Sequence, residues 1–138
     1  MIHYLVTDSS GKITNAGSAG GFSLDMFIKL NPEAKVLQEA LQDPDNYYWH
    51  NALVLKPARP SPHHDFDYTT KQWVANPTSA WLAAKQRRDQ LLSSTDWLVT
   101  KALESGHPVA PAWCAYRQAL RDITLQADPW AIVWPVVP

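Results

Sequence analysis

Apolar positions in the first half of the chain come in short runs separated by turn formers. Residues 2–7 alternate loosely and carry β-branched and aromatic side chains, which predicts a strand. Asp8-Ser9-Ser10-Gly11 predicts a turn, and Ile13-Thr14 begins a return strand. Residues 17–21, Gly-Ser-Ala-Gly-Gly, read as a flexible loop; no Gly-Lys-Ser/Thr follows, so it is not a phosphate loop. Residues 22–30 fit a short helix with Phe22, Met26 and Leu30 on one face, ended by Asn31-Pro32. Residues 34–41 fit helix or strand equally, and residues 43–46 force a turn.

Two hairpins follow. Tyr47-Tyr48-Trp49, a two-residue tip at His50-Asn51, and residues 52–55 predict the first. Three prolines within residues 57–62 require an extended, polyproline-like stretch. Residues 64–68, a turn at Thr69-Thr70-Lys71, and residues 72–74 predict the second, with Phe66, Tyr68 and Trp73 covering one face.

At Asn76-Pro77 the period changes from two to 3.6, and Pro just inside the first turn is a helix start signal. Trp81, Ala84, Leu91 and Leu92 follow helical spacing, while residues 85–89 form a solvated face. Residues 93–96 break this helix and cap a second, which runs through Trp97 and Ala102 to Gly106, with His107 as a partner at its C-terminus. Trp113, Tyr116, Leu120 and Ile123 mark a third helix, ended by Asp128-Pro129. Pro135 and Pro138 keep residues 130–138 extended. The fold class is therefore α+β. A β-rich domain with hairpins, residues 1–76, precedes a three-helix domain, residues 77–138, that ends in an extended Trp/Pro tail.

Composition narrows the function. The chain has 138 residues, a formal charge of −1, one Cys and seven Trp. Near-neutral charge argues against non-specific nucleic-acid binding, which needs a concentrated positive field. A single Cys excludes an intrachain disulfide and a cysteine-based zinc cluster. No apolar run approaches a membrane span, and the first residues lack the pattern of a signal peptide, so a cytoplasmic protein is expected. Five of the Trp residues follow residue 76, more aromatic surface than about 60 residues enclose, so part of it is expected to meet something else.

Candidate chemistry is thin. His63 and His64 point to opposite faces of a strand, so His63-His64-Asp65-Phe66-Asp67 makes a poor metal site. Cys114, beside Trp113 with no nearby His, reads as a small buried hydrophobe. Arg117 and Arg121 are expected to pair with Asp89, Asp96 or Asp122, or to meet a partner. No nucleophile motif is present, so no catalytic residue, metal or cofactor is assigned.

Three ordered motifs carry a resemblance. Trp81, Arg87-Arg88, Leu91-Leu92 and Thr95-Asp96-Trp97 come first; Trp113 and Tyr116-Arg117-Gln118-Ala119-Leu120-Arg121-Asp122-Ile123 follow; Pro129 and Trp134-Pro135-Val136-Val137-Pro138 close. Together they resemble the C-terminal domain of phage tail assembly chaperones, including tail fibre assembly proteins. The Pro-rich run of residues 57–62, followed by His64-Asp65-Phe66-Asp67-Tyr68 and Lys71-Gln72-Trp73, is similar to a short β module found before that domain in phage tail proteins.

The resemblance implies a non-enzymatic chaperone that assists folding, trimerisation or assembly of a phage or phage-tail-like bacteriocin tail fibre. It implies work in the bacterial cytoplasm, the fibre's C-terminal region as partner, and self-association as a second property. Unassembled fibres expose strand edges and apolar seams, which a binder with aromatic anchors covers. Tyr47, Tyr48, Trp49, Phe66, Tyr68 and Trp73 are the candidate client residues. Trp81, Asp96, Trp97, Trp113, Tyr116, Arg117, Trp134 and Pro135 form the structural motif. The alternatives are a chaperone for the tape-measure protein, a tail component that stays in the particle, and a small enzyme.

Overall fold

A computed structural model describes all residues, 1–138. Its contacts divide the chain into two compact units, Met1–Val74 and Ala75–Pro138.

In the first unit, β1 (Ile2–Thr7) and β2 (Ile13–Ala19) form an antiparallel pair, and β3 (Lys35–Leu37) adds to the other edge of β1. The intervening turn is organised by Asp8, whose Oδ1 accepts from the Ser10 N–H (2.8 Å), the Ser10 hydroxyl (2.6 Å) and the Lys12 N–H (3.1 Å). Residues 17–19, expected in a loop, continue β2 instead: Gly17, Ser18 and Ala19 lie opposite Tyr4, His3 and Ile2. The ladder with β1 carries the strand through them, and Gly17 leaves room for the Tyr4 ring, which a Cβ there would crowd. The Ser18 hydroxyl also meets His3 Nδ1 at 2.7 Å.

Helix α1 (Leu24–Leu30) starts later than expected, because the Ser23 hydroxyl caps the Met26 N–H. Its buried residue is Phe27, packed 5.2 Å from Tyr4, and not the expected stripe of Phe22, Met26 and Leu30. Phe27 and Leu5 are this unit's only buried apolar side chains.

A short 3-10 turn (Pro44–Asn46) leads into β4 (Tyr47–Trp49), paired antiparallel with β5 (Leu53–Leu55). Their connection has three residues rather than two: Trp49 pairs with Leu53, Asn51 takes positive φ, and the His50 N–H donates to the Ala52 carbonyl. Strands β6 (His64–Asp67) and β7 (Gln72–Ala75) form the second hairpin, with Lys71 at positive φ in its turn.

The second unit is three helices: α2 (Pro77–Ser94), α3 (Asp96–Ser105) and α4 (Pro111–Arg121). Asn76 caps α2 by accepting from the Ser79 N–H. Gly106, at φ 68°, ends α3 in the left-handed conformation, and the His107 N–H closes the cap on the Ala102 carbonyl. Helix α4 stops at Arg121, earlier than Asp128-Pro129 predicts, and tightens into a 3-10 turn (Asp122–Leu125) that still buries Ile123. Ala80 and Ala84 of α2 pack with Tyr116, Leu120 and Ile123 as the core residues of this unit. Cys114 is exposed, which overturns its expected burial; it lies roughly 160° around the helix from Tyr116 and roughly 120° from Leu120. Residues 132–138 form neither helix nor strand.

Candidate functional site

The aromatic residues of the two hairpins meet around a lysine. Phe66 sits 5.4 Å from Tyr48, 5.1 Å from Tyr68 and 5.2 Å from Trp73, the last two edge to face. Lys56, just after β5, places its ammonium 5.0, 4.7 and 5.9 Å from the Phe66, Tyr68 and Trp73 rings. Its remaining donors reach the Asp45 carbonyl (2.6 Å) and the Tyr68 hydroxyl (2.8 Å). Trp73 is fixed from two further sides: its indole N–H donates to the Pro57 carbonyl at 2.7 Å, and Arg59 stacks on the ring at 5.3 Å. Four of the six candidate client residues therefore form one half-buried cluster whose faces are largely filled by the chain's own cations.

The other two lie apart. Strand alternation puts Tyr47 and Trp49 on the face opposite Tyr48. Tyr47 lines a cleft with Leu37, Leu41 and Leu53. Trp49 receives Lys35 over its ring at 5.4 Å and donates its backbone N–H to the Gly11 carbonyl at 2.9 Å. Lys71 completes the link, donating to the Ser10 carbonyl while lying over Tyr48. Lys35, Lys56 and Lys71 were invisible as site residues because each acts across turns on rings that are remote in sequence.

Exposed apolar surface concentrates elsewhere in this unit. Phe22, Leu24, Met26, Ile28 and Leu30 surround α1 and are each about half exposed or more. A run of five such residues on and beside one seven-residue helix exceeds what a single buried Phe27 needs for anchorage.

In the helical unit, the motif residues converge on Arg117. Its guanidinium donates to the Leu92 carbonyl (2.9 Å), the Thr95 hydroxyl (2.5 Å) and Asp96 Oδ1 (2.7 Å). One side chain from α4 thus ties off the last turn of α2 and the first of α3, a use of its fork that a lysine cannot reproduce. Arg121, its expected companion, is exposed. Trp113 meets Tyr116 edge to face at 5.8 Å. Trp81 borders a cleft with Leu82 and Thr124. Trp134 covers Arg87 of α2 at 4.4 Å, and Pro135 beside it is half-buried. Trp97, however, is 57% exposed, with Lys101 over its ring.

Two carboxyls have clear shifts. Hydrogen bonding by the Ser10 hydroxyl, and then by the Ser10 and Lys12 N–H groups, lowers the pKa of Asp8; the Thr69 N–H, with Thr70, does the same for Asp67. Both carboxylates organise tight turns. No group of His, Cys, Asp and Glu side chains is placed to hold a metal ion. No helix is long and apolar enough to cross a membrane.

What these features define is a small α+β protein whose notable surfaces are aromatic and aliphatic. Residues 81–138 match the family described as phage tail assembly chaperone protein, and the resemblance carried by the three motifs is borne out over that stretch. The match supports a chaperone role in tail assembly. No curated protein and no solved structure matches the chain.

Proposed function

We propose that this protein is a non-enzymatic chaperone that holds a tail fibre, by its C-terminal region, during folding and trimerisation in the bacterial cytoplasm. The family match over residues 81–138 carries the reading. The first unit is the proposed client face. Its support is chemical: α1 offers Phe22, Leu24, Met26, Ile28 and Leu30 to solvent, and β5 and the two-stranded β6–β7 sheet retain unpaired edges for a β-rich client. Tyr47, Tyr48, Trp49, Phe66, Tyr68 and Trp73 would act mainly by giving those edges a fixed shape, with Lys56 as the pin.

Co-expression with the fibre tests this directly. A fibre that becomes soluble and trimeric only in the presence of this protein supports the proposal. Equal solubility with and without it refutes the fibre assignment, and rescue of a tape-measure protein instead would move the client. Mass spectrometry of purified particles separates a chaperone that departs from a component that stays.

A further inference from the structure

The helical unit contains both an apolar groove and an apolar segment suited to it, yet does not join them within one copy. The groove, of about 510 Å3, lies between α3 and α4, and Leu98, Ala102, Pro108, Val109 and Trp113 supply its apolar lining. The segment is residues 132–138. It is held at two points. The Gln126 side-chain amide pairs with the Val133 backbone, Nε2 donating to the carbonyl (3.0 Å) and Oε1 accepting from the N–H (2.8 Å). The Trp134 ring is fixed over Arg87. Val133 and Val136 nevertheless remain 76% and 87% exposed.

Backbone chemistry limits how such a segment is recognised. Val133 already spends its N–H and carbonyl on Gln126, and Pro135 and Pro138 have no N–H to give. Strand addition is therefore disfavoured. Polyproline-type docking needs no such ladder: its three-residue repeat sets Val133 and Val136 on one edge, and its usual receptor is a groove lined by aromatic rings. Trp113, with Pro108 beside it, provides that lining. The exposure of Val133 and Val136 means that a copy's own groove does not hold them.

We infer that the tail of one copy docks in the α3–α4 groove of a second copy, seating the Val133/Val136 edge against Trp113. The contact is heterologous, so repetition closes a ring or extends a chain. Tethering by Gln126 and Arg87 reduces the entropy lost when the tail is captured. The inference does not depend on which tail protein is the client.

Sedimentation of the full-length protein over a concentration series tests it. Wild type should exceed the monomer mass as concentration rises. Val136→Asp in the tail and Ala110→Arg in the groove, both at exposed positions, should each weaken association at least about tenfold. An equimolar mixture of the two should recover a dimer, because the intact tail of the Ala110→Arg copy finds the intact groove of the Val136→Asp copy. If Ala110→Arg alters the far-UV spectrum, Ser105→Arg, also exposed on the groove, replaces it. A monomer at every concentration overturns the inference. So does association that persists in either variant, or a mixture that stays monomeric.

Discussion

Arg117 joins three helices through one guanidinium, and its partners are of unequal worth. The Leu92 carbonyl and the Thr95 hydroxyl lose a buried donor when Arg117 is removed, whereas the Asp96 side chain is 62% exposed and can turn to water. Arg117→Ala should therefore lower stability by about 2–4 kcal/mol, while Asp96→Asn should cost under about 1 kcal/mol. Urea unfolding of both variants measures the difference; equal losses would place the weight on the ion pair. Asp8 and Asp67 act in the same local way on turns. Their folded pKa values lie below the ordinary value, so their contribution is present above the unfolded aspartate pKa of about 3.9 and is lost as pH falls through the lower folded value. Carboxyl NMR titration should show both midpoints below that of a free aspartate, with loss of the Ser10 and Thr69 amide signatures as each protonates.

Among the elements, the tail and the first turn depend most on side chains far away in sequence. Trp134 is half-buried rather than enclosed, and its ring rests on Arg87. Trp134→Ala should cost about 2–3 kcal/mol, below the full-core figure, and Arg87→Ala under about 1 kcal/mol, both read by thermal or urea unfolding. A null effect of Trp134→Ala on stability would detach the tail from α2. In the β1–β2 turn, Gly11 has φ 86° and the Trp49 carbonyl where a Cβ would project. Gly11→Ala should destabilise the first unit by about 2–4 kcal/mol, from left-handed strain plus displacement of β4. Amide exchange should report that loss in β4 and β1 together, because the Trp49 N–H is bonded to the Gly11 carbonyl.

For the whole molecule, the two units invite separate roles. The helical unit contains residues 81–138, the part that matches the chaperone family, and the first unit carries the exposed α1 surface. A family-wide task assigned to the helices and a client preference assigned to the first unit make a direct prediction. Exchanging residues 1–74 with those of a relative that serves another fibre should transfer fibre preference, measured as co-purified fibre. Preference that follows residues 75–138 would invert the assignment. A milder variant, Met26→Asp with Ile28→Asp on α1, should reduce fibre capture while leaving the helical unit's unfolding unchanged.

Local signals determined a large part of this protein. The span of β1, both hairpins, the Asn76-Pro77 start of α2, the break at Thr95 and the Gly106 stop all follow from turn chemistry, capping and period, which act within a few residues. The ordered Trp, Tyr-Arg and Trp-Pro motifs were likewise legible, as was the pairing of Arg117 with an aspartate of the expected set. Tertiary structure alone decided the rest. Gly17 and Ala19 became strand because β1 offered a ladder; Phe27 replaced Phe22, Met26 and Leu30 inside because the Tyr4 ring of β1 packs against it. Cys114 faced solvent because α4 turned its Tyr116–Leu120 side inward. The cations on aromatic rings, Lys35, Lys56, Lys71 and Arg87, had no local signature, since each contact joins segments whose proximity exists only once the chain has folded.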